Sequence, residues 1–397
     1  MHGSAAAGIA AGLSLGAPAS ARVIGANDRI SIGLIGCGQR ASAHLRNNLP
    51  KMDDPKWNFR IAAVSDIYRP RLESAAAATG GKPFHDYRDL LAMKGLDAVL
   101  IATPDHWHAK MAIDAMNAGL DVYLEKPMTY TWQEARKVAA VCNKTKRIMQ
   151  VGVQSTSDDT WWKARDLIKA GAIGKVLWSQ SSYSRNSREG EWNYSLKEAS
   201  PDVLDWQAFL GSAPKRPFDP ARFFQWRKYW DYSGGIATDL FYHQLGHLQI
   251  ALGPEFPTHV TSAGGIYVQK DGREVPDTLQ MLIEYPSQHT ICLHSSMASN
   301  IGVPEIVRGH EATMTFEAPG VVCRPQPQFV AERPEKKVAL EPRSNHMLNW
   351  LECLRSRQKP HCDHETGYRV MVAIALGVAA YRKRKVMSFD PIKEELI

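Results

Sequence analysis

Ile30-Ser31-Ile32-Gly33-Leu34-Ile35-Gly36-Cys37-Gly38-Gln39-Arg40-Ala41 decides the fold. An apolar, strand-like run enters Gly36-x-Gly38-x-x-Ala41, a turn that must bend sharply and open a helix. Gly36 permits the tight turn, Gly38 lets backbone N–H groups approach a pyrophosphate, and Ala41 allows close packing of the helix. The bare pattern is common. Its place between strand and helix makes it a dinucleotide cradle, with Gln39 and Arg40 in the first helical turn beside the phosphates.

Outward from this turn, strand and helix signals alternate. Phe59 to Ser65 reads as a second strand ending at Asp66, Arg71 to Ala78 as a helix, and Asp86 to Met93 as a short one. Ala98 to Ala102 is a continuous buried strand, followed by a helix from His108 to Ala118 that Gly119 closes. Val122 to Glu125 is a strand, Trp132 to Asn143 a helix begun by Thr131, and Ile148 to Val153 another strand. Such alternation predicts a doubly wound parallel sheet, a Rossmann domain over 29–153. From Gln154 the pattern changes. Trp161 to Lys169 is helical, and Val176 to Tyr183, Thr258 to Val268, Thr278 to Tyr285, His289 to Ser296 and Ala312 to Glu317 read as antiparallel strands. The expectation for 154–397 is an α+β domain with a large, mainly antiparallel open sheet, one face free for another subunit or a substrate. His346 to Leu354 and Gly367 to Arg382 read as helices packing back on both domains.

Composition supports a two-domain globular protein: 44% of 397 residues are hydrophobic and 22% charged. The net charge of +7 comes from scattered Lys and Arg. The run Arg382-Lys383-Arg384-Lys385 is a solvated helix end, with no aromatic-interleaved groove that would suit nucleic acid. Six cysteines show neither disulfide nor zinc-ribbon spacing. Residues 1–28 form a separate expectation. Ala5 to Leu15 is Ala/Gly/Leu-rich and Ala17 to Ala21 offers an A-x-A cleavage site, as in the back half of an export leader of twin-arginine type lacking its arginines. A short N-terminal arm, with a cytoplasmic protein, is the other reading. No stretch is long and apolar enough for a membrane span.

Three further motifs carry chemistry. Asp66, ending the second strand, would accept adenosine ribose hydroxyls and repel a 2′-phosphate, favouring NAD, although Arg69 nearby would admit NADP; otherwise Asp66 caps the next helix. Thr103, Pro104, Trp107 and His108 follow the buried strand into the same crevice, as cofactor-lining residues. Lys126 in Glu125-Lys126-Pro127 puts an ammonium at a strand's carboxyl end, able to bond a substrate hydroxyl and stabilise oxygen charge as hydride leaves carbon. Gly234 to His247 then places Asp239, His243 and His247 at i, i+4 and i+8 of a helix. Asp239 would orient His243 as the proton acceptor. Histidines four apart also bind zinc, but no further spaced ligand completes a site and no metal is expected; a hydrogen-bonded core pair is the remaining reading. His361 to Glu365 has a metal-like composition but reads as a loop.

With these residues the sequence resembles the Gfo/Idh/MocA oxidoreductases, the family of glucose-fructose oxidoreductase and inositol dehydrogenase, from about Asn27 onward. The resemblance implies Lys126, Asp239 and His243 as catalytic residues of a sugar or polyol dehydrogenase, Glu125 and Gln154 beside the nicotinamide, a tightly held cofactor and an exported protein. Tyr183, Trp192, Trp230 and Tyr232 would stack on sugar faces, Arg227 would meet hydroxyls or a carboxylate, and His247 would complete the substrate site. Each of these aromatics equally suits a core. A homo-oligomer built through the second sheet is expected. Two rival functions remain open: an NAD-dependent glycoside hydrolase that oxidises its sugar transiently, and a non-catalytic sugar or dinucleotide sensor.

Overall fold

A computed structural model describes residue 25 and residues 28–196, 199–318 and 320–397. The leader-like stretch lies outside the described residues.

The first sheet is parallel and six-stranded: β1 (Ile30–Ile35), β2 (Phe59–Ser65), β3 (Lys82–Phe84), β4 (Ala98–Ile101), β5 (Asp121–Glu125) and β6 (Met149–Gly152), in the order 3-2-1-4-5-6. Between these strands run α1 (Gln39–Asn48), α2 (Arg69–Thr79), α3 (Tyr87–Leu91) and α4 (Asp105–Asn117), with α5 (Trp132–Thr145) between β5 and β6. Helices cover the sheet, so β1, β4, β5 and β6 are buried at every position, which is why they read as apolar runs. Thr131 starts α5 through a capping box with Glu134. Because β1 pairs with both β2 and β4, the direction of winding reverses there and a crevice opens at the strands' carboxyl ends.

After α6 (Asp159–Lys169), a second sheet of ten strands forms: β7 (Val176–Ser182), β8 (His259–Gly265), β9 (Thr278–Tyr285), β10 (His289–Ser296), β11 (Ile306–Gly309), β12 (Ala312–Glu317), β13 (Gly320–Pro325), β14 (Lys336–Ala339), β15 (Met387–Asp390) and β16 (Glu395–Leu396). The order is 14-13-12-11-7-10-9-8-15-16, with β7 and β10 parallel and all other neighbours antiparallel. The expected fold class is therefore found in both halves. The remaining helices are α7 (Trp206–Leu210), α8 (Pro220–Phe224), α9 (Tyr242–Leu252), α10 (His346–Ser356) and α11 (His364–Lys383). On β9, Leu279, Met281, Ile283 and Tyr285 are buried while Leu282 and Glu284 are exposed, so one face packs and the other is open.

Three local readings are corrected. α4 begins at Asp105 and not at His108, which brings Asp105, His106 and Trp107 into its first turn. His361 to Glu365 is not a loop throughout: Asp363 caps α11, its side chain accepting from the Thr366 N–H at 2.8 Å. β3, β11 and β13 to β16 escape notice because they are short or rich in Lys, Gly and Pro.

α10 has a larger role than its position suggests. Met347, Trp350, Leu351 and Leu354 share one core with Ile30, Ile32, Leu34 and Tyr123. Trp350 is fully buried, its ring 5.5 Å from Tyr123 and edge-on. A helix near the chain's end thus completes the core of the first sheet. Trp350→Ala should cost about 3–5 kcal/mol, the range for a large aromatic removed from a core. In denaturant unfolding the loss should appear in the dinucleotide domain, as a transition that saturating NADH partly restores.

Candidate active site

A cavity of about 760 Å³ opens at the carboxyl ends of β1, β2, β4 and β5 and extends to residues of the second domain. At its phosphate end Gly36 has φ +83°, and a Cβ there would stand 2.8 Å from Thr103 and 2.9 Å from the Ala102 backbone. Only glycine fits. Gly38 precedes α1 and faces nothing nearer than the Arg71 guanidinium, 3.5 Å from a notional Cβ. α1 has no capping side chain and no acid in its first turn, so its leading N–H groups are free for an anion. The Thr103 hydroxyl is buried without a partner. These features fit a dinucleotide's pyrophosphate.

Asp66 lines the cavity and accepts hydrogen bonds from the N–H groups of Cys37 (2.7 Å) and Tyr68 (2.8 Å). It is therefore locked in place, and it does not cap α2, whose start carries no side-chain cap. Arg69, expected to blur cofactor choice, lies on a neighbouring groove. The cation beside Asp66 is Arg71, packed over Tyr68, Phe223 and Phe224. Trp107 lines the cavity and donates from Nε1 to the Phe209 carbonyl at 2.9 Å, while His106 Nε2 lies 2.8 Å from the same oxygen. α7 is thereby fastened over the crevice.

At the other end charges from both domains converge. Lys126 Nζ donates to the Asp239 carbonyl and to Oδ1, each at 2.7 Å. Arg227 Nε donates to the same Oδ1 at 2.9 Å, and Asp239 Oδ2 accepts from Arg185 (3.3 Å) and Trp192 Nε1 (3.2 Å). Burial alone would raise the Asp239 pKa, but the charges of Lys126, Arg227 and Arg185 outweigh it and hold the carboxyl well below its usual range. Glu125 behaves alike: burial is outweighed by Arg40, whose Nε lies 2.7 Å from Oε1, and by His44 Nε2 at 2.6 Å, so it too stays ionised. Gln154 Nε2 bonds the Tyr123 hydroxyl at 3.0 Å and approaches Glu125 at 3.4 Å.

His243 lines the same cavity and stays neutral, its pKa lowered to about 3 by burial and then by the Lys126 charge. It makes no hydrogen bond with Asp239 among the described residues, which corrects the expected dyad. The reason is local: Ala237–Phe241 is a π-helical turn, wider than an α turn, so the i, i+4 stacking of positions 239 and 243 does not apply. Asp105, at the start of α4, is buried with Oδ2 unpartnered, and desolvation pushes its pKa up to about 7 despite Arg227 and Lys126.

Of the expected cofactor residues, Gly36, Gly38, Gln39, Arg40, Asp66, Thr103, Pro104, Trp107, Glu125, Lys126 and Gln154 line the cavity. His108 does not. Its Nδ1 lies 2.6 Å from the Pro127 carbonyl and its Nε2 2.8 Å from that of Thr103, tying two cavity loops together from behind. Of the expected substrate residues, Tyr183 and Arg227 line the cavity. Trp192 is buried behind Asp239, Tyr232 is buried between His106 and Phe209, and Trp230 packs against Tyr381 and Arg382. His247 stacks on Trp161 at 3.9 Å and lies 2.6 Å from Glu305. None of these four lines the cavity, because the same aromatic character that suits sugar stacking also suits a core. Arg185, Tyr194, Trp226 and the Glu125 partner His44 were missed. His44 alone carried a local signal, four residues after Arg40 on α1.

The sequence matches the profile of an oxidoreductase family's NAD-binding Rossmann fold over residues 30–153 and that of the family's C-terminal alpha/beta domain over 165–389. The chain belongs to the Gfo/Idh/MocA family. Inositol 2-dehydrogenase of Salmonella typhimurium is 28% identical over 185 residues, 45% of this chain and 54% of that protein. A glycosyl hydrolase family 109 protein of Shewanella baltica is 27% identical over 191 residues, 46% of this chain and 40% of that protein. The matches thus span about half the length of these curated relatives. In structure, the chain is similar to the WlbA dehydrogenase of Bordetella pertussis solved with NADH and UDP-GlcNAcA (TM-score 0.67, 20% identity, 91% of this chain and 99% of that one). It is also similar to a levoglucosan dehydrogenase in complex with NADH and L-sorbose (TM-score 0.70, 16% identity, 91% and 99%).

In this Gfo/Idh/MocA chain Asp105 gives a pH signature. The folded protein keeps the Asp105 proton up to about 7, whereas an unfolded aspartate releases it near 4. Its contribution to stability is fully present below the unfolded pKa and is lost as pH rises through the folded one. Asp105→Asn removes that loss. The melting temperature of the variant relative to wild type should climb between about pH 4 and 7 and level off above, as scanning calorimetry would show.

Proposed function

We propose that the protein is a nicotinamide-dependent oxidoreductase acting on a secondary alcohol of a sugar, polyol or glycoside. One observation carries this reading: a single cavity joins the Gly36 and Gly38 cradle to Lys126, Asp239 and His243. When bound, NAD supplies the acceptor for hydride leaving the substrate carbon. Lys126 spends two of its three N–H donors on Asp239, leaving one for the substrate oxygen. Its charge stabilises that oxygen as the O–H bond breaks. Neutral His243 offers a ring lone pair to the departing proton. Burial and Lys126 make its protonated form costly, so the imidazolium gives the proton up to bulk solvent and returns to neutral. The substrate loses a proton and a hydride, and its carbinol carbon becomes a carbonyl. Asp239 positions Lys126, and Trp192 positions Asp239.

The likeness to a glycosyl hydrolase family 109 protein supports a second reading, in which the same oxidation is followed by elimination of an aglycone and return of the hydride. The proposal extends to a tightly held cofactor and an exported protein, supported by the Ala-rich stretch of residues 5–15. It also extends to self-association through the open sheet face, supported by exposed Trp178 and Leu282. Cell fractionation and light scattering should find an exported oligomer; a cytoplasmic monomer overturns both extensions.

Across a panel of sugars and polyols, the wild type should reduce NAD, and Lys126→Ala should lower kcat/KM about 10²–10⁴-fold with little change in NADH affinity. Undiminished turnover in the variant overturns the role given to Lys126. Release of p-nitrophenol from a glycoside without accumulating NADH establishes the hydrolytic reading instead.

A further inference from the structure

The substrate end of the cavity holds one guanidinium that is anchored without being used up. Arg227 sits in the short turn Trp226–Lys228, where Asp239 Oδ1 takes its Nε at 2.9 Å and the Trp226 ring lies 4.2 Å below its carbon. One edge and one face of the planar group are thus held. Among the described residues no group accepts from its two terminal nitrogens, and the side chain lines the cavity. Such a group is a preorganised fork, and two parallel N–H donors match the two oxygens of a carboxylate.

The surrounding charges set the valence of the guest. Lys126, Arg185 and Arg227 are the cations meeting Asp239, and Arg185 is also paired with Glu191 at 2.9 Å. Three positive groups against the two carboxylates of Asp239 and Glu191 leave one positive charge, and the free donors place it at Arg227. Asp105, buried nearby and facing Arg227, Lys126, Thr238 and Asp239, is largely neutral in mildly acidic solution and does not cancel that charge there. A single residual charge matches a monoanion better than a dianionic phosphate. Neutral hydroxyls would leave it uncompensated in a partly desolvated site.

Resting on the oxidoreductase reading, we propose that the substrate is a sugar acid, its carboxylate held by the Arg227 fork while a ring hydroxyl meets Lys126. Arg227 is then the residue that determines specificity. A long, flexible lysine keeps a charge but offers no fork, so Arg227→Lys separates charge from geometry.

The test is equilibrium binding to the NADH-loaded full chain by calorimetry at pH 6, with galacturonate, galactose and galactose 6-phosphate, and the glucose series in parallel. One of the two uronates should bind about 10- to 100-fold more tightly than its neutral sugar, the span of a charge-assisted hydrogen-bonded pair, and more tightly than the phosphate. Arg227→Gln should remove most of that preference, costing the uronate about 10- to 100-fold more affinity than it costs the neutral sugar, and Arg227→Lys should restore only part of it. Equal binding of acid and neutral sugar, preference for the phosphate, no uronate binding, or an equal loss for all ligands in Arg227→Gln overturns the proposal. Because binding is read without turnover, a uronate that binds through Arg227 yet yields no NADH sinks the oxidoreductase reading and leaves the fork standing.

Discussion

The site depends on a buried carboxylate that gathers cations from both domains. Asp239 belongs to the second domain, and its charge out of water costs several kcal/mol unless paired. Lys126 reaches it from the end of β5 in the first domain, Arg227 and Arg185 from the second. Breaking the pair would strand the Lys126 ammonium and leave Asp239 to Arg227 and Arg185. The ion pair joins the two domains at the cavity, beside the cores they share, and it fixes the ammonium at the edge of the cavity where a substrate oxygen must lie. Glu125 repeats the arrangement one residue earlier, with Arg40 and His44 of α1 as its partners, so the turn before Lys126 is held as firmly as its tip.

Within a small volume the protein sets four ionisable groups in different states by environment alone. Asp239 and Glu125 remain charged because cations outweigh desolvation, whereas Asp105 and His243 are pushed toward neutrality because desolvation wins. An ionised pair to hold the ammonium and a neutral imidazole to receive a proton are complementary requirements of alcohol oxidation. Burial that pins Lys126 also keeps His243 uncharged, so one physical cause serves both.

Much of this was legible in the sequence, for reasons that can be located. The Gly36 to Ala41 turn is local chemistry: a tight φ, a close backbone approach and an uncapped helix start lie within six residues. Glu125-Lys126-Pro127 was legible because a strand ends there and ligands gather at such ends. The Asp239 to His243 relation was misread because spacing assumes 3.6 residues per turn, and a π turn gives no sequence warning. Arg185 reaches Asp239 from 54 positions away, a proximity created by the second sheet and not by any local pattern. Trp192, Trp230 and Tyr232 could not be sorted from cavity-lining aromatics, since burial and sugar stacking select the same side chains.

The two walls of the cavity differ in how they can vary. The cofactor wall is made of strand ends and helix starts whose backbone does the binding, so changing it strains the sheet itself. The opposite wall is built from the turn 226–228, the segment after β7 and α7, elements whose own cores are small. α7 is nonetheless fastened to α4 by the two contacts to the Phe209 carbonyl, so the wall varies in chemistry without moving. A relative can therefore keep the Lys126 and Asp239 pairing and exchange the groups that face it. One cofactor wall can thus face outer walls of different chemistry, which is why a fold of this kind does not by itself fix a substrate.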